Sequence, residues 1–258
     1  MTAQLHNPGL DLSPAPGAAP AGRRVISHGL TETKLLVRNG EQLLLALIIP
    51  IAIMVAARFL GSDLLGDQLP ASVLALAVWS SAFTSVAIAT GFERRYGVLE
   101  RLAATPLGRS GLIIGKAMAV MIIVVGQLII LTTIGLAVGW RPQFSLATTG
   151  LAVLAILLAI TAFVSLALIL AGRLRAEATL GLANLIYVVL LIAGGLVIPA
   201  ERFPAPIGWV VRLLPTGALG EELRQTSLGV IDGWPLLVLA IWAGLLTLIA
   251  RKVFRWIG

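Results

Sequence analysis

Cysteine is absent from this chain of 258 residues, and charge is scarce, since Asp, Glu, Lys and Arg together make up 12% of it. The first absence excludes disulfides, thiolate zinc sites and cysteine nucleophiles. Only two histidines occur, His6 and His28, both ahead of the first apolar run, so no histidine-rich metal site is expected. The shortage of charge says more. A soluble domain is about 45–50% apolar and about 25% charged, whereas this chain is 58% hydrophobic with a mean hydropathy of +0.98. So few polar side chains cannot cover a water-facing surface, and lipid must be the main solvent.

What is present divides by composition. Residues 1–25 form a Pro/Ala/Gly-rich leader, with Pro8, Pro14, Pro16 and Pro20, that cannot bury a core and is expected to be disordered. An export signal is excluded, because Asp11 intervenes and the first apolar run starts only at Leu43. Residues 26–40 mix Leu30, Leu35, Leu36 and Val37 with Lys34 and Arg38. That composition suits an amphipathic helix lying on the membrane surface, and an ordinary soluble helical turn fits it nearly as well. A span needs about 20 apolar residues. Residues 41–258 contain six such stretches, at about 43–60, 71–92, 112–139, 146–171, 178–199 and 235–250. The expected fold is an all-α integral membrane protein with six transmembrane helices, the first containing Pro50 and Arg58.

Six spans place both termini on one side, and the basic residues choose the side. With the termini in the cytoplasm, 14 of the 19 basic residues face that compartment, and only Arg58, Arg141, Arg202, Arg212 and Arg224 face outward. Acidic residues divide evenly, so the inner face carries +8 and the outer face −1. Topology and anionic lipid therefore account for the net charge of +7 without nucleic acid. The expected location is the bacterial cytoplasmic membrane.

Chemistry within the spans is sparse. Acidic residues such as Glu41, Glu93 and Glu177 sit at span edges, and no ionisable group is expected well inside. That lowers the reading as an ion-coupled carrier, although sodium held by unwound carbonyls would escape the argument. Neutral polar residues do lie inside, among them Gln127, Asn184 and Tyr187. They serve interhelical hydrogen bonding or face a substrate path. A lipid-modifying enzyme would need an acid, base or metal cluster, and neither a G-x-S-x-G elbow nor a His-Glu-x-x-His motif occurs. Around Gly115-Lys116 a phosphate-loop pattern fails, with Ser110 at its first glycine position and Ala117 at its hydroxyl position. No nucleotide site, bound cofactor or metal is expected in this chain.

The most informative stretch joins the second and third spans. From Glu93 to Leu107 it reads ERRYGVLERLAATPL. Leu99 and Leu102 share one helix face, charge lines the rest, and Thr105-Pro106 ends the helix. This is a short amphipathic helix that rests on headgroups or docks into a partner.

That run, with Glu93, Arg94, Gly97, Leu99, Glu100, Leu102, Thr105, Pro106 and Leu107 followed by Lys116, resembles the coupling-helix region of type 2 ATP-binding-cassette exporters, the drug, polysaccharide and lipid export permeases. The resemblance extends to the basic lead-in, Pro50, the six spans and the long outer segment before the last span. It implies a permease half that pairs with a second permease subunit, identical or related, and sits on a separate ATPase subunit that binds ATP and magnesium. Glu93, Arg94, Arg95, Tyr96, Gly97, Leu99, Glu100, Arg101, Leu102, Thr105 and Pro106 would then engage the ATPase. Ser81, Ser85, Gln127, Asn184 and Tyr187 would lie along the substrate path. The outer segment would form two short re-entrant helices, with Phe203, Trp209, Leu213 and Pro215 at an outer gate. The implied activity is ATP-driven export of an amphiphile, whether drug, antibiotic, lipid or glycolipid.

Overall fold

Proline opens or nearly opens four helices of this chain, where its missing N–H has no intrahelical acceptor to lose. A computed structural model describes residues 17–38, 47–56, 68–143 and 145–254. In chain order, α1 is Ala21–Arg38, α2 is Leu47–Ala56 and α3 is Leu69–Trp79. A π-helical turn over Ser80–Ser85 leads without a break into α4, Val86–Arg95. Next come α5, Val98–Ala103, α6, Gly108–Ala137, and α7, Leu146–Ala171. The last four are α8, Ala176–Ala193, α9, Ala205–Leu213, α10, Pro215–Ser227, and α11, Trp234–Val253. No strand forms among the described residues.

Five stretches are long and apolar enough to cross a membrane: Leu69–Arg95, α6, α7, α8 and α11. These correspond to five of the six expected spans. The expected first span, 43–60, is described only as the short apolar helix α2, and its other residues lie outside the described ones. α1 opens at Ala21, inside the segment expected to be a leader, and residues 1–16 lie outside the described residues.

Leu69–Arg95 is the axis of the bundle. Two thirds (67%) of its apolar window is buried by neighbouring elements, against 17% for α8. Trp79 stacks on Phe83 across the π turn, with ring centroids 4.4 Å apart, and meets Phe163 of α7 edge-on at 4.7 Å. Such pairs contribute beyond their buried area. α7 starts at a capping box between Ser145 and Thr148 and packs against α10 and α11. α1 lies against α6, where an added Cβ on Gly29 would stand 3.1 Å from the Gly115 carbonyl oxygen.

The fifth span stops early. An apolar run to 199 is expected, yet α8 ends at Ala193 because Gly194-Gly195 turns the chain, Gly195 taking φ +79°. A side chain there would meet Gly217 Cα of α10 at 2.7 Å. The two glycines therefore let α10 come to backbone distance. α9 and α10 fill the segment between α8 and α11, as two short helices in the place where the sequence leads one to expect them.

Candidate functional site

The turn between α4 and α5 is built on Gly97. Its φ of +69° is the left-handed conformation that glycine adopts without steric penalty. This reverses the chain and aims the six-residue α5 back toward the bundle. Leu99 is wholly buried and Leu102 half-buried, so the apolar face of α5 belongs to the core. Its other face is open. Tyr96 is 67% exposed, and Glu100, Arg101, Ala103, Ala104, Thr105 and Pro106 are exposed with it. A surface of charged, aromatic and small residues is thus exposed on one side of α5, while the buried Leu99 anchors the other.

Three arginines fix this turn to its neighbours. Arg94 donates to the carbonyls of Ala171, the last residue of α7, and Leu174 just beyond it, both at 3.4 Å. Arg95 pairs with Glu177 at the start of α8. Arg24 of α1 donates to the Pro106 carbonyl. Glu93, Arg94 and Arg95 therefore serve internal connections, while Tyr96, Glu100, Arg101, Thr105 and Pro106 remain presented outward.

Beneath the turn lies a buried ionic cluster. The ammonium of Lys116, 3% exposed in α6, donates to Glu93 Oε1 of α4 at 2.8 Å and to Glu32 Oε2 of α1 at 3.1 Å. His28 approaches Glu32 at 3.6 Å. Burial, with Lys116 nearby, holds the His28 imidazole below its ordinary pKa and keeps it neutral. Lys116, expected among the charges that face the cytoplasm, is instead a buried internal cation. A lysine flanked by Ile113, Ile114 and Ala117 demands a counter-charge, and that signal was available in the sequence. Its partner Glu32 was not foreseen.

At the opposite end of the bundle, α10 carries two further buried charges. Arg224 donates to the Leu196 carbonyl at 3.0 Å, the Gly195 carbonyl at 3.2 Å, Ser72 Oγ at 3.1 Å and Glu221 Oε2 at 3.1 Å. It ties α10 to α3 and to the turn after α8, although the sequence suggests only an outer surface charge. Glu222, 1% exposed, has no hydrogen-bond partner on either carboxylate oxygen. Burial, then the nearby Asp232 and Glu221, push its carboxyl up to about 7. Of the expected gate residues, Pro215 is buried at the start of α10, Phe203 is half-buried, and Trp209 and Leu213 are exposed on α9.

The expected path residues separate. Ser81 donates to Gln127 Oε1 at 2.7 Å, a buried bond between the π turn and α6. Ser85 makes only a long contact, 3.5 Å, to the Ser80 carbonyl. Tyr187 of α8 contacts Ser80 through its hydroxyl, and Asn184 is exposed on α8. Four of the five thus converge on or near the π turn.

Compared with known families, residues 30–227 match the sequence model described as ABC-2 type transporter. The matched region runs from within α1 to the end of α10 and contains the α5 surface and the buried Lys116, Glu93 and Glu32. No curated protein matches the chain.

Proposed function

Because the chain belongs to the ABC-2 type transporter family as its membrane-spanning permease subunit, we propose that it exports an amphiphile, a drug, antibiotic, lipid or glycolipid, across the bacterial cytoplasmic membrane. The energy comes from ATP hydrolysed with magnesium by a separate ATPase subunit. Two permease subunits, identical or related, enclose the path. Both termini and the α5 surface face the cytoplasm, in keeping with the distribution of basic residues. α9 and α10 form the re-entrant outer segment.

The observation that carries this reading is the arrangement of α5. Its buried leucine face is continuous with the most buried span, Leu69–Arg95, and its exposed face offers Tyr96, Glu100 and Arg101 to a partner. ATP-driven closure of the ATPase pushes on that face, and Leu99 passes the movement to Leu69–Arg95. The π turn at Ser80–Ser85 interrupts this span where Ser81, Gln127 and Tyr187 gather, and π turns concentrate at functional sites. We place the substrate path alongside it.

Copurification from membranes, followed by transport in proteoliposomes, tests the reading. The chain should bring down an ATPase subunit, and efflux should require ATP and magnesium. Efflux by the chain alone, driven by an ion gradient and indifferent to ATP, would replace it with an ion-coupled carrier.

A further inference from the structure

A cavity of about 510 Å³ lies between the start of α1 and the α5–α6 turn. Arg23, Arg24, Ser27 and His28 form one wall, and Leu102 and Pro106 form much of the other. Its lining carries two formal positive charges and no acid. Arg24 donates through one terminal nitrogen to the Pro106 carbonyl, and the guanidinium groups of Arg23 and Arg24 hold further N–H donors for an acceptor in the cavity.

The setting identifies the acceptor's source. Ile26, Leu30 and Val37 are all about half exposed, and at helical spacing they form one stripe along α1. Arg23 and Lys34 flank that stripe. A helix with this pattern lies at the membrane interface with its stripe in the acyl region, so the cavity beside it sits at headgroup depth. The cavity wall is mostly apolar apart from its arginines. A lipid offers both a phosphate for the arginines and a glycerol and upper acyl segment for Leu102 and Pro106, whereas free phosphate offers only the first.

We propose that this cavity binds the phosphate headgroup of an anionic membrane lipid, which joins α1 to the coupling turn. The lipid supplements the direct link from Arg24 to the Pro106 carbonyl. The proposal stands whether the exported substrate is a drug or a lipid, since the cavity is remote from the π turn.

Native mass spectrometry of the delipidated full chain in detergent tests it, with dioleoylphosphatidylglycerol, dioleoylphosphatidylcholine and inorganic phosphate as probes. The chain should retain phosphatidylglycerol over phosphatidylcholine, and inorganic phosphate at millimolar concentration should not displace it. Arg23→Gln and Arg24→Gln should each weaken retention about fivefold. Arg24→Lys, which keeps the charge, should lose less than Arg24→Gln, and Arg23→Gln, at an exposed position, keeps the test readable if Arg24→Gln folds poorly. Arg251→Gln with Lys252→Gln, which removes two charges from the same end of the bundle, should leave retention unchanged. Equal retention of the two lipids, or equal loss in the control pair, overturns the proposal in favour of diffuse attraction. Displacement by inorganic phosphate overturns the lipid assignment. Loss of the lipid when the ATPase subunit assembles would overturn it too, and give the cavity to that subunit.

Discussion

Lys116 Nζ lies 2.8 Å from Glu93 Oε1, and through this bond α6 grips α4 near the end of that helix, just ahead of the turn into α5. Both groups are out of water, so their attraction offsets a desolvation cost that either would bear alone. Lys116→Met should therefore lower stability by about 3–5 kcal/mol, because Glu93 and Glu32 remain buried without their cation. Adding Glu93→Gln and Glu32→Gln to Lys116→Met should recover most of the loss. Thermal unfolding of the parent, the single variant and the triple variant in one detergent checks this; if the triple variant melts no higher than the single one, the cluster is not an ionic unit.

Neighbouring residues of α5 should separate stability from coupling. Leu99→Ala empties a fully buried site and should cost about 2–5 kcal/mol. Glu100→Arg changes an exposed side chain and should alter stability by no more than about 0.5 kcal/mol. Glu100→Arg should nevertheless reduce ATPase assembly and ATP-driven efflux, which Leu99→Ala also lowers, but through misfolding. Melting temperature and ATPase copurification measured on the same preparations distinguish the two. A Glu100→Arg complex that assembles and transports like the parent removes α5 as the docking element.

Apolar length and turn chemistry made much of this fold legible. The run after residue 69, Gly97 and the Thr105-Pro106 stop together specify a long helix, a reversal and a short helix, because each is dictated by residues adjacent in sequence. The end of α8 was misjudged by several residues, since Leu196, Val197 and Ile198 prolong the apolar run past Gly194-Gly195 and the turn depends on α10 approaching from elsewhere. The partners of Lys116 and Arg224 were hidden for the same reason. Glu32 and Lys116 are 84 positions apart, and no periodicity reports a contact at that separation. At the π turn, Ser81 and Ser85 were visible as polar residues in a span, but the widened helix that places them was not.

Glu222 should give the protein a distinctive acid response. Its carboxyl is raised from 4.5 to about 7, so the folded chain holds a proton that the unfolded chain has released across that interval. Stability from this group is present below pH 4.5 and declines as pH rises toward 7. Glu222→Gln keeps the neutral shape and should melt higher than the parent at pH 8, with the difference closing as pH falls through 7 toward 4.5. Melting curves of both proteins across this range provide the check, and parallel curves would show that Glu222 is not protonated on folding.

Arg224 offers the sharpest test of the far end of the bundle. Its planar guanidinium reaches four acceptors at once, on Ser72, Gly195, Leu196 and Glu221. A lysine is a point charge on a flexible stem and cannot reproduce that fork. Arg224→Lys should therefore leave at least one buried carbonyl unpaired and cost about 1–3 kcal/mol, while Arg224→Met also removes the cation beside Glu221. If α10 closes the outer end of the path, loosening this clamp should let a preloaded fluorescent amphiphile leak from proteoliposomes without ATP. Leak and melting temperature should then change together in Arg224→Lys. A variant that melts early yet stays tight would assign Arg224 to folding alone, since its bonds would hold the bundle without holding the gate.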